Sequence, residues 1–161
     1  MHAADLPAIL AVQAQAYASA AFHPERAEIY VNRMALAPEF CKVAADADGA
    51  LLGYLVSHPW DEGIPPALDT VLDRLPAPAT YWYLHDCAVH QRAHGRGVAG
   101  KLLAAGQAAA RESGLAGGAL VAVGDAAGYW RRHGYRRREL PGLAERLAHY
   151  GAGAAYMVCA L

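Results

Sequence analysis

The hexapeptide Arg92-Ala93-His94-Gly95-Arg96-Gly97 lies between a strand-like run, Tyr81 to Val89, and an alanine-rich stretch of helical composition from about Gly97 to Ser113. A strand that feeds a glycine-bearing turn and then a helix leaves the N–H groups of the first helical turn without intrahelical acceptors, at the positive end of the helix dipole. Glycine lets the main chain approach an anion with no Cβ in between. The turn therefore demands a sheet with a helix packed on it, and it points to a phosphorylated ligand held at the helix start.

The rest of the chain agrees with one α/β or α+β domain over 1–161. At 161 residues, with 55% hydrophobic and 18% charged residues, it can bury a sizeable core. A net charge of −1 argues against a nucleic-acid binder. No apolar run reaches the ~18–20 residues that a membrane helix needs, so no membrane partner is expected. Met1 to Asp5 lacks the features of a signal peptide, and Cys41, Cys87 and Cys159 form no CxxC pair. Free thiols in a reducing cytoplasm are the expectation. Nothing in the sequence suggests a metal site.

Apolar spacing predicts helices over Ala4 to Ala18 and over Glu25 to Leu36, the second starting after Pro24. Short strands at Cys41 to Ala45 and Ala50 to His58 flank Asp46-Ala47-Asp48-Gly49 and should pair as a hairpin. Pro59 to Thr80 holds five of the nine prolines around a predicted helical piece, Ala67 to Leu75. After the central strand and its helix come an apolar strand at Ala119 to Val123 and a short helix, Ala126 to His133, with Asp125 as expected N-cap. A strand over Tyr135 to Leu140, loop or helix over Pro141 to Tyr150, and a last strand from Ala154 to Leu161 complete the chain.

Gly95-Arg96-Gly97-Val98-Ala99-Gly100 also satisfies G-x-G-x-x-G. A dinucleotide fold needs the first glycine at the strand end. Here His90 to His94 intervene, and the roughly 60 residues that follow are too few for a doubly wound sheet. The other register, R-x-x-G-x-G over Arg92 to Gly97, resembles the acyl-coenzyme A loop of the GNAT N-acetyltransferase superfamily. Tyr129-Trp130-Arg131-Arg132-His133-Gly134-Tyr135 resembles that superfamily's second signature, and Tyr150 to Met157 resembles the ending of uncharacterised bacterial members.

The resemblance implies a mixed, V-shaped sheet whose central strand splays from the next parallel strand. It implies acetyl-coenzyme A as co-substrate and no metal. Pantetheine would lie along the main chain of Cys87, Ala88 and Val89. The pyrophosphate would rest on Arg92, His94, Gly95, Arg96, Gly97, Val98 and Ala99, and Trp130 would pack on the pantetheine or line the acyl pocket. It also implies a strand ahead of the first helix, for which only Met1 to Ala4 are available; loss of that sheet edge would favour a homodimer.

Acyl transfer to an amine requires removal of a proton from the ammonium. Asp86 and His85 are the candidate bases on the central strand, with Tyr83 a third; strand alternation implies that only one of His85 and Asp86 faces the cleft. Trp130 stands where the superfamily usually has the tyrosine that protonates the departing thiolate, so Tyr129 is the candidate acid. Tyr54, His58, Trp60, Asp61 and Glu62 are expected at the acceptor end. The function implied is direct transfer from acetyl-coenzyme A to a small-molecule or peptide amine; the alternative is a non-catalytic acyl-coenzyme A binder.

Overall fold

The computed structural model describes residues 1–20 and 23–161. A 3₁₀ turn at Ala3–Asp5 leads into α1 (Leu6–Ala16), followed by α2 (Ala27–Leu36), β1 (Lys42–Ala45) and β2 (Leu51–Trp60). After a long irregular insertion come β3 (Tyr81–Val89), α3 (Val98–Glu112), β4 (Gly117–Ala122), α4 (Ala127–Arg132), β5 (Arg136–Arg137), α5 (Leu143–Ala148) and β6 (Ala155–Ala160). The six strands form one mixed sheet in the order β1-β2-β3-β4-β6-β5, with β3 and β4 parallel and every other pair antiparallel.

Alternation along β4 and β6 sorts side chains onto two faces. Leu120, Met157 and Cys159 join Leu102 and Leu103 of α3 and Trp130 of α4 in one buried cluster. Ala119, Tyr156 and Val158 pack on the other side with Leu143 of α5, where Ile9 and Val12 of α1 and Tyr30 of α2 also cover the sheet. α3 approaches so closely that a Cβ on Gly106 would lie 2.5 Å from the Trp82 ring and 2.6 Å from Leu55. No helix among the described residues is long and apolar enough to cross a membrane.

Four expectations change. The piece Ala67 to Leu75 is not helical; proline-flanked and tied to α2 by side chains, it has no i to i−4 ladder of its own. The strand expected over Tyr135 to Leu140 shortens to two residues. Asp125 caps nothing, because it lies inside a 3₁₀ turn, Gly124–Ala126, that precedes α4. The second helix starts at Ala27, not Glu25: Arg26 is extended, at φ −69° and ψ 154°. That last shift leaves the Glu25 side chain outside the helix and able to reach the sheet. No strand precedes α1 among the described residues, consistent with the few residues available there.

Gly106→Val should lower stability by about 2–3 kcal/mol through overpacking against Trp82 and Leu55, seen as a fall in Tm of roughly 4–12 °C.

Candidate active site

Pairing of β3 with β4 runs only from Tyr81 opposite Gly117 to Leu84 opposite Leu120. Beyond Leu120, β4 keeps its partner on the other side, β6, through Ala122. The two parallel strands therefore part, and among the described residues no strand pairs with the β3 main chain from His85 to Val89 on that edge. Such an edge can hydrogen-bond an extended ligand as a strand would. The gap opens into a cleft of about 610 Å³ whose walls include Leu84, Cys87, Val121, Tyr129 and Trp130.

At the end of β3 the glycine turn spends part of its donors on itself. The N–H of Arg92 goes to His90 Nδ1 at 3.1 Å, and those of Ala93, His94 and Arg96 go to main-chain carbonyls. The N–H groups of Gly95, Gly97 and the opening of α3 donate to nothing among the described residues. Both glycines sit at φ +74°, a region that favours glycine, and a Cβ on either would meet only open space. Two side chains expected on the anion are engaged elsewhere. The Arg92 guanidinium reaches Asp46 Oδ2 and the Leu51 carbonyl, each at 3.3 Å, in the β1–β2 hairpin. The His94 ring binds the Val89 carbonyl at 3.0 Å. The free donors thus begin at Gly95 rather than Arg92, while Arg96 is exposed and makes no ion pair among the described residues.

The expectation that only one of His85 and Asp86 faces the cleft is overturned. Val56 pairs with Asp86 but Ser57 pairs with Leu84, so His85 is an extra residue in β3. Such a bulge reverses the alternation. Trp82 and Leu84 pack on the α3 side, yet Asp86 and Ala88 turn to α1 and α2, and His85 points the same way as Asp86.

The two neighbours are held differently. Asp86 is buried and accepts three phenol hydrogen bonds: Tyr17 on Oδ1 at 2.6 Å, and Tyr30 and Tyr54 on Oδ2 at 2.6 and 2.7 Å. Burial pushes its carboxyl above the usual range, and the three phenols pull back against that rise. His85 Nε2 lies 2.7 Å from Glu25 Oε2, with both side chains buried, and Nδ1 has no partner among the described residues. Burial alone would raise Glu25. The His85 ring, the Asp69 N–H at 2.7 Å on Oε1 and the Arg33 charge outweigh burial and hold it below the ordinary carboxylate value.

Glu25 also joins the ring to the insertion. Asp69, at φ +53°, gives its N–H to Glu25 and holds Arg26 with its carboxylate, at 3.0 Å to the N–H and 2.6 Å to Nε. Asn32 pairs with the Leu72 main chain in both directions, and Arg33 reaches the Thr70 carbonyl. On the opposite wall, Tyr129 and Trp130 both border the cleft although adjacent in α4. Burial, and then the neighbouring Cys87, keep the Tyr129 phenol above its usual pKa, only partly opposed by Arg132, so the group stays protonated.

Cys87, His85, Asp86, Tyr129 and Trp130 thus meet at the gap, with Val98 and Ala99 at the helix start beside it. Tyr83 does not: it is buried beneath, and its hydroxyl bonds to Tyr150. Of the residues expected at the acceptor end, Asp61 is exposed and the other four hold side-chain contacts elsewhere. Tyr54 serves Asp86, His58 is fully buried and held neutral, its pKa lowered to about 3 by burial and His85, and Trp60 Nε1 bonds the Ile64 carbonyl. Glu62 pairs with Arg138 at 2.9 Å. Glu25, Tyr17 and Tyr30 escaped the sequence reading. Their one visible trace is polar or phenolic side chains among the helix positions that should be apolar. The three cysteines are free, as expected.

The sequence profile of the acetyltransferase (GNAT) family matches residues 7–135. No curated protein sequence matches the chain. Among solved structures, the chain is similar to a GNAT-like decarboxylase, GphF, in complex with isobutyryl-CoA. The two share 17% identity over 99% of this chain and 96% of that one, with a TM-score of 0.77. It is similar to a GCN5-related N-acetyltransferase from Kribbella flavida at 23% identity, over 100% of this chain and 95% of that one, with a TM-score of 0.65. It is also similar to N-acetylglutamate synthase from Neisseria gonorrhoeae complexed with coenzyme A and N-acetyl-glutamate, at 19% identity, over 99% of this chain and 34% of that one, with a TM-score of 0.73.

Because Glu25 sits below its ordinary value of 4.5 in the folded chain, its pairing stabilises the fold above that pH, and this contribution fades as pH falls through the folded value. Glu25→Gln should therefore cost most stability near neutral pH and progressively less below 4.5. Urea unfolding of both proteins across this range measures the convergence, and a gap that stays constant contradicts it.

Proposed function

The chain belongs to the acetyltransferase (GNAT) family, and on that premise we propose that it moves an acetyl group from acetyl-coenzyme A to an amine by direct attack. The observation that carries the reading is the position of two features on one strand: the unpaired β3 edge from His85 to Val89, and, directly after it, the free N–H groups of Gly95, Gly97 and Val98. An extended pantetheine suits the first and a pyrophosphate the second, so the thioester falls between His85 and Tyr129.

His85 is the base in this proposal. Its Nε2–H donates to Glu25, which fixes the tautomer with the lone pair on Nδ1. Asp86, one strand position on, has three phenols on its carboxylate and serves better to hold β3, α1 and α2 together. Nδ1 first takes one proton from the incoming ammonium; the freed amine nitrogen then bonds to the thioester carbon, and the second proton it sheds goes to the departing sulfur through Tyr129 or to water. When the C–S bond breaks, the sulfur takes a proton from Tyr129 or leaves as thiolate, which coenzyme A tolerates. Trp130 lacks an acidic proton and contributes apolar wall. Gly95, Gly97, Val98 and Ala99 supply backbone donors, and Arg96 adds positive charge. The main chain at Cys87 and Ala88 supplies the strand partner for pantetheine.

Calorimetry should give coenzyme A binding at about micromolar affinity; no binding at millimolar ligand refutes the proposal. His85→Gln should lower kcat by about 10²–10³-fold with coenzyme A affinity unchanged, while Asp86→Asn should act chiefly on thermal stability.

A further inference from the structure

Resting on the acyltransferase reading, we propose that the acceptor is an unbranched aliphatic primary amine with no carboxylate on its amine-bearing carbon. The parting of β3 and β4 opens the sheet from face to face. A small chamber of about 50 Å³ lies in the gap and shares His85, Asp86, Val121 and Tyr150 with the donor cleft. Leu68 of the insertion lines both this chamber and an outer one of about 970 Å³ on the far side. An amine that meets the thioester opposite coenzyme A passes from the outer chamber through this neck to His85.

The neck selects by size. At about 50 Å³ the chamber is narrower than the spaces of about 610 and 970 Å³ on either side of it, and a slim aminomethyl end enters it more readily than a branched one. The chain's own groups fill the rest: Leu68 and Val121 as apolar walls, Tyr150 tied to the Pro66 carbonyl at 2.8 Å.

The neck also selects by charge. Its ionisable lining is Glu25, Asp86, His85 and the phenols of Tyr17 and Tyr150; no lysine or arginine among the described residues lines it. Arg33 is buried beside Glu25 without lining the chamber; its guanidinium donates to Asn32 and the Thr70 carbonyl, both neutral, so its charge offsets that of Glu25 in part. An aliphatic amine arrives as an ammonium at neutral pH, and two carboxyl groups favour it there. The His85 side chain is 3% exposed and keeps Nδ1 unengaged among the described residues, ready for the ammonium's proton. An α-amino acid would instead bring its carboxylate, two bonds from the nitrogen, against Glu25 in a site that water cannot screen. Arg146, the arginine that could receive a carboxylate, lines the outer chamber beyond Leu68. A carboxylate that reaches it must be carried several bonds from the amine.

Three acceptors with one carbon skeleton separate these effects: n-pentylamine, norleucine methyl ester and norleucine, each assayed for thiol release from acetyl-coenzyme A by the full chain. The expected order of kcat/KM is pentylamine, ester, norleucine, with pentylamine ahead of norleucine by at least about a hundredfold. Norleucine or its ester within about tenfold of pentylamine overturns the proposal. Coenzyme A binding is measured alongside by calorimetry. Binding without turnover of pentylamine overturns the acceptor class alone, whereas absence of binding brings down the acyltransferase reading and the acceptor class with it.

Discussion

Between Val56 and Ser57 of β2, the neighbouring strand β3 uses one residue more than register requires, and that residue is His85. In a regular strand His85 and Asp86 would project to opposite faces, and one of them would sit in the apolar layer under α3. The bulge instead delivers both to the side covered by α1 and α2, where Glu25 and three tyrosines receive them. The same irregularity falls one residue beyond the last β3–β4 pair, Leu84 with Leu120. Bulges increase local twist and bend the strand that carries them. One extra residue thus accounts for the turn of β3 away from β4, for the gap, and for the imidazole at its mouth.

Asp86 shows why the bend is stable. A buried carboxylate is costly unless its oxygens are satisfied. Here each of three donors comes from a different element: Tyr17 after α1, Tyr30 in α2 and Tyr54 in β2. The carboxyl group fixes the distance of both helices from the strand at the point where β4 stops supporting it. Removing one phenol would leave two, whereas removing the carboxylate would orphan all three hydroxyls, and that asymmetry makes Asp86 the centre of the arrangement.

The glycine turn, the strand before it and the helix after it were legible in the sequence, because they depend on local rules: β-favouring residues, two glycines forced to positive φ, alanine-rich continuation. The hairpin at Asp46 to Gly49 was legible for the same reason, and Asp46 does accept from the Asp48 and Ala50 N–H groups. The splay followed from resemblance alone. The bulge was hidden, since Leu84-His85-Asp86-Cys87 reads as an unbroken strand and the extra residue shows only when β2 lies alongside. Glu25 was hidden too. Its place after Pro24 suited a helix start, and its partner is 60 residues away in sequence.

The insertion from Asp61 to Thr80 reads in the sequence as a proline-rich connection around a helical piece, yet it sets the surroundings of the proposed base. Its Asp69 N–H fills one oxygen of Glu25 while His85 fills the other, and the Asp69 carboxylate grips Arg26 next door. Asn32 and Arg33 fasten the neighbouring turn to α2 through Leu72 and Thr70. The Arg26–Asp69 pair is exposed, so it adds little to global stability; its effect is on geometry. Undocking the insertion would break part-buried and buried hydrogen bonds with Asn32, Arg33, Glu25 and Tyr150 as well as the exposed Arg26–Asp69 pair. It would also remove Leu68 from the neck and the Asp69 donor from Glu25 at once. The walls of the proposed passage and the orientation of His85 are therefore linked through one segment.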